Sequence, residues 1–104
     1  MEVRTSVQRF EEVCRASSVE PVTKIQVGNR IVLIADGYCN DHPEFPGPHY
    51  TTVWAVGKDE SLLEVARPLY FEGLGKTTQE QRVAEAAADG IAFAEEMNAR
   101  FNRS

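Results

Sequence analysis

Four consecutive apolar residues, Ile31-Val32-Leu33-Ile34, follow the turn signal Gly28-Asn29. Successive side chains of a strand point to opposite faces, so a run that is apolar at every position needs cover on both sides. So short a run suits a strand rather than a helix. It marks Arg30 to Ala35 as a central strand, covered twice.

The neighbouring strands follow from it. Val22 to Val27 alternates, with Thr23, Ile25 and Val27 on one side and Lys24 and Gln26 on the other. Gly28 and Asn29 both tolerate positive φ, which suits a two-residue hairpin into the central strand. Tyr50 to Val56 forms a third strand, with Tyr50, Thr52, Trp54 and Val56 on one face and Thr51, Val53 and Ala55 on the other. A turn over 57–60 leads to a fourth strand from Ser61 to Phe71. Pro68 lacks an N–H for a ladder, which places this strand at an edge or gives it a bulge.

Helices flank the strands. Val3, Val7, Phe10 and Cys14 lie at helical spacing over 5–16, with Thr5 and Gln8 as a capping box. Ser17 and Ser18 end this helix, and Pro21 keeps it from resuming. Thr77 and Glu80 make the corresponding box for a last helix that runs to about Phe101. Its stripe is Val83, Ala87, Gly90, Ala94, Met97 and Phe101, widened by Ile91 and Phe93. The small residues at its middle predict close approach of the helix to a sheet. The expectation is a single α+β domain over 1–104: two layers, a four-stranded antiparallel sheet, and both helices on one face (α-β-β-β-β-α).

Each helix has a single apolar stripe, so two helices on one face leave the other face bare. That bare face predicts a homodimer with Trp54 or Tyr50 near its centre. The formal net charge of −5 and the lack of a basic run set nucleic acid aside as a partner. The longest apolar run is too short to span a bilayer, and the first dozen residues lack the apolar stretch of a signal peptide. Cys14 and Cys39 show no CxxC spacing, and two reduced thiols fit a cytoplasmic protein.

Between the second and third strands lies Asp36 to His49, DGYCNDHPEFPGPH, read as a long loop because of its three prolines and two glycines. It holds both histidines. Cys39, Asp41, His42, Glu44 and His49 are competent metal ligands by type, but no second Cys/His pair completes a closed tetrahedral site. The expectation is no metal and no cofactor. The same loop admits Cys39 as nucleophile with His42 or His49 as base, yet no catalytic residue is assigned. Tyr50, Trp54 and Tyr70 form an aromatic strand surface, and with His42 and His49 they are the candidate ligand-binding residues. Gly75-Lys76-Thr77 imitates the end of a phosphate-binding loop, but Tyr70 stands where that pattern needs glycine.

YTTVWAVG, SLLEVARPLYFEG and GLGKTTQEQRVAEAAADGIA, within 49–93, resemble the C-terminal part of a double-stranded RNA-binding domain in their strand–strand–helix order. That resemblance implies an RNA-binding module gripping phosphates through lysines at the start of the last helix. Here Lys76 is followed by Thr77, Thr78, Gln79 and Glu80, so the grip is missing. The leading expectation is a small non-catalytic binding or protein-interaction module that self-associates through the open sheet face. The alternative is a small-molecule or metal-dependent enzyme using the 36–49 loop. A pocket joining His42 or His49 to Cys39 or a carboxylate would favour the enzyme.

Overall fold

The computed structural model describes residues 6–40, 42–58, 63–73 and 75–101. The elements run α1 (Ser6–Ser17), β1 (Glu20–Val27), β2 (Arg30–Cys39), β3 (His49–Lys58), β4 (Leu63–Glu72) and α2 (Gln79–Phe101). The strands lie side by side in chain order, each pair antiparallel. The chain is therefore an α+β domain in the expected element order.

The segment read as a loop is partly strand. Asp36, Gly37, Tyr38 and Cys39 pair with Thr52, Thr51, Tyr50 and His49. The prolines of this segment begin only at Pro43, so every residue before them keeps the N–H that a ladder requires. The connection shrinks to 40–48.

The two helices lie on opposite faces, which corrects the two-layer expectation to three layers. Phe10 and Cys14 of α1 pack with Ile31, Leu33, Ala35, Val53 and Ala55. Ala86 and Ala94 of α2 pack with Val32, Ile34, Trp54 and Val56. The central strands alternate between these two sets, so each helix covers the face that its one stripe can reach. Among the described residues, α2 covers the face that carries Trp54, so the bare face on which the homodimer expectation rests is not there. Trp54 lies under α2, 1% exposed, with its ring 5.4 Å from that of Phe93 and its Nε1 donating to Asp89 at 3.0 Å. The outer strands are β1, which carries Pro21, a register shift between Pro21 and Thr23, and Lys24, and β4, which carries Pro68.

Backbone capping fixes both helices. Ser18 adopts φ 57°; its N–H donates to Arg15 O at 3.3 Å and that of Val19 to Cys14 O at 3.0 Å. This is a Schellman ending, with serine in the position that glycine usually fills. Thr78, one residue later than expected, caps α2: Gln81 N–H donates to Thr78 Oγ1 at 3.1 Å and Thr78 N–H to Gln81 Oε1 at 2.9 Å. Thr77 serves Arg82 instead, accepting from its Nη1 through the carbonyl at 3.0 Å and the hydroxyl at 3.1 Å. The Thr5 cap lies outside the described residues. At the other end of α2, Asn98 accepts from Arg30 Nε at 3.0 Å and donates to Val27 O at 2.9 Å, tying the helix to the β1–β2 hairpin.

Gly90 is where α2 meets the sheet. A Cβ built there would lie 2.7 Å from Val32 Cγ1 and 3.5 Å from Trp54 Cδ2. Val32 is fully buried and has nowhere to retreat. Gly90→Leu is therefore expected to cost about 1–3 kcal/mol by overpacking, even after the ~1 kcal/mol that a non-glycine residue adds to helix propensity. A thermal melt should show a midpoint lower by roughly 5–20 °C. An unchanged midpoint would reject the close approach.

Candidate functional site

Beyond the apolar core, the β2–β3 ladder continues as a polar pair of strands, and its two faces carry two different clusters. Asp36, Tyr38, Tyr50 and Thr52 follow the alternation of Val32 and Ile34 and so share the α2 face. Cys39, His49 and Thr51 share the α1 face, and Tyr70 joins them because it pairs with Thr51.

On the α2 face, Arg82 reaches down from the first turn of α2 to Asp36. Its Nη2 donates to Oδ2 at 2.8 Å and its Nε to Oδ1 at 3.0 Å, a bidentate pair with both side chains at most 5% exposed. Thr52 also donates a hydrogen bond to Oδ1, and Gln79 a long one of 3.5 Å to Oδ2. Arg82 Cζ sits 3.6 Å over the Tyr50 ring, whose edge meets Tyr38. Burial alone would raise the Asp36 carboxyl, but the bonds from Arg82 and Thr52 outweigh it and hold it below the usual carboxylate range. The pair staples the start of α2 to the sheet.

The α1 face carries the cleft. It has a volume of about 350 Å³ and is lined by Ala16 and Ser18 from the end of α1, Cys39, Thr51, Pro68 and Tyr70 from the sheet, and His42 and Pro43 from the loop. His42 is fixed at both ring nitrogens. Glu44 N–H donates to Nδ1 at 3.1 Å, so Nε2 carries the proton and donates to the Tyr70 hydroxyl at 2.9 Å. Tyr70 thus accepts from His42, and its own O–H is available to another acceptor. Burial first, then the charges of Glu44 and Cys39, raise the Tyr70 phenol. It stays protonated at neutral pH and serves as a donor.

His49 is fully buried behind this wall, against Phe45 at 4.8 Å and Tyr70 at 5.7 Å between ring centroids. Gly47, at φ 96°, presents its carbonyl 2.7 Å from His49 Nδ1, which therefore carries the ring proton. Nε2 keeps its lone pair, is buried, and has no hydrogen-bond partner among the described residues.

Of the candidates read from sequence, His42, His49 and Tyr70 come together, and Cys39 joins His42 and Tyr70 at the cleft. Trp54 does not join them, being core beneath α2. Tyr50 lies on the opposite face under Arg82. Glu44 contributes its backbone N–H, and Asp41 lies outside the described residues. Among the described residues, no three His, Cys, Asp or Glu side chains converge as metal ligands. Cys14 is buried, and burial first, then Glu11, pushes its thiol up to about 11, which suits a small core side chain. The sequence reading missed the Asp36–Arg82 pair, although an acid directly after IVLIA was a signal for a buried partner. It also missed Thr51, Ala16 and Ser18, which carry no chemical motif and reach the cleft only through the fold.

Asp36→Asn leaves Arg82 charged and buried without its counterion, and is expected to cost about 3–5 kcal/mol at neutral pH. The folded-state carboxyl lies below its usual 3.8, so the pair's contribution is complete above that value. It is lost as pH falls below 3.8 through the folded-state value. Urea unfolding of wild type and variant between pH 7 and pH 2 should show the gap closing only below about pH 4. A gap of constant size across that range would reject the ionised pair.

Neither the three-layer arrangement nor the cleft brings a relative with it: the chain matches no protein-family model, no curated protein and no solved structure.

Proposed function

We propose that the protein is a small binding module without catalysis, and that its ligand site is the cleft between the end of α1 and the 40–48 loop. The observation that carries this reading is the oriented Tyr70 hydroxyl. It is engaged as acceptor by His42 Nε2, kept protonated, and placed among the cleft-lining residues. A donor with a fixed direction in a concave site is what selects a ligand acceptor such as a carbonyl or hydroxyl oxygen. Among the described lining residues there is no lysine or arginine, and the Glu44 charge is felt at Tyr70. These features favour a neutral or cationic small molecule over an anion.

The cleft also unites His42 with Cys39, the condition set for an enzyme. The bonding pattern supports binding instead. Both His42 nitrogens are engaged, so no lone pair is left on that ring to take a proton from the Cys39 thiol.

Titration with a library of small neutral carbonyl and hydroxyl compounds, followed by amide and ring resonances, tests the reading. Binders should shift Cys39, His42, Thr51 and Tyr70. Tyr70→Phe should keep the fold and weaken the best binder roughly fivefold, the worth of one ordinary hydrogen bond. Binding elsewhere, or full affinity in Tyr70→Phe, would reject the site. Chemical conversion of a bound compound would favour the enzyme.

A further inference from the structure

Thr51 carries a hydroxyl that the fold leaves unused. The residue is 4% exposed, and among the described residues nothing shares a hydrogen bond with its side chain. Yet that oxygen is not closed off from solvent, because Thr51 lines the cleft. A largely buried hydroxyl without a partner is unfavourable. Its place on the cleft wall points to a bound group as the missing partner.

The end of α1 sits beside that hydroxyl. Thr51 pairs with Gly37, and a Cβ on Gly37 would lie 2.7 Å from Ser18 O and 2.9 Å from Val19 Cα. The glycine lets the helix end settle on the sheet at this row. The Schellman ending satisfies the carbonyls of Cys14 and Arg15; among the described residues, those of Ala16 and Ser17 have no backbone donor. A helix C-terminus carries partial negative charge, and Ala16 and Ser18 line the same cleft. Arg15, in the same turn, is exposed and does not line it. This end of the cleft therefore offers acceptors. The loop end offers the reverse: the Tyr70 ring lies 4.9 Å from that of His42, and its hydroxyl, engaged by His42 Nε2 at 2.9 Å, has its own O–H to give.

We propose that the cleft takes a small organic cation, a primary ammonium a few bonds from a neutral carbonyl or hydroxyl oxygen. The ammonium donates to Thr51 and the carbonyl end of α1, and the oxygen accepts from Tyr70. This rests on the cleft being the ligand site and adds the class of ligand. An ammonium has three donors and no acceptor, which suits a hydroxyl and carbonyls that can each accept. No lysine or arginine among the described lining residues repels it. A neutral oxygen, rather than a carboxylate, suits the Tyr70 end, where Glu44 already places negative charge.

The test compares glycinamide with propionamide, which differ in an ammonium for a methyl group. Wild-type protein is titrated with each at about pH 6.5, where an α-amino group is charged, and the amide resonances are followed. Glycinamide should move Ser18, Thr51 and Tyr70 and bind about tenfold more tightly than propionamide, the worth of a hydrogen bond to a charged group. Thr51→Val, checked for a native amide spectrum, should lose most of that preference, and Thr51→Ser, which restores the hydroxyl, should keep it. Tyr70→Phe should weaken both compounds about fivefold and leave the preference intact. Equal affinities in the wild type, or a preference undiminished in Thr51→Val, would overturn the ammonium proposal while leaving the Tyr70 cleft standing. Shifts that miss Cys39, Thr51 and Tyr70 with both compounds would remove the cleft as well.

Discussion

The two central strands are apolar on both faces, and the remaining architecture answers that demand. Val32, Ile34, Ala35, Ala55 and Val56 are all 0% exposed, yet they point alternately up and down. Burying a large aliphatic side chain stabilises by about 1.5–3 kcal/mol, so neither face can be left to water without forfeiting much of the core. A helix with one apolar stripe can serve one face. The chain has two such helices, one at each end, and sends them to opposite sides. The longer one comes close to the sheet through Ala86, Gly90 and Ala94; the shorter one relies on Phe10 and Cys14.

The same two strands outrun their apolar cover. From Asp36 onward the ladder carries polar and aromatic side chains, and alternation divides them between two unlike environments. Adjacent residues show this most plainly: Thr52 bonds the buried Asp36 carboxylate, while Thr51 lines the cleft. The ion pair is almost wholly buried, bidentate and supported by further bonds from Thr52 to Asp36 and from Arg82 to Thr77, the condition under which a buried charge is tolerable. It orders the start of α2 on one face. On the other, the histidine and tyrosine rings are fixed by the loop: Glu44 N–H and the Gly47 carbonyl set the tautomers of His42 and His49. A rigid ladder in the middle therefore holds a structural cluster and a candidate binding cluster back to back.

The central place of the second strand, the Gly28 hairpin, an edge or bulge at Pro68 and the tight seat of Gly90 were all legible along the chain, because each depends on neighbours in sequence or on a single periodicity. The apparent loop misled through its composition. Three prolines coloured the whole of 36–49, although their constraint begins only where they stand, and the ladder extends to Cys39. The cap of α2 moved from Thr77 to Thr78 because Arg82, five residues on, claims both oxygens of Thr77.

By itself, then, the sequence determined that there would be a four-stranded antiparallel sheet with a doubly covered centre and a helix at each end. Local periodicity and turn chemistry suffice for that. Tertiary structure alone decided that the helices divide between the faces, since a stripe says that a helix must pack and not on which side. It alone joined Asp36 to Arg82 across 46 positions and placed Tyr70 against His42 across 28. Such contacts follow from which faces meet, and that is set by the packing of the whole chain rather than by any stretch of it.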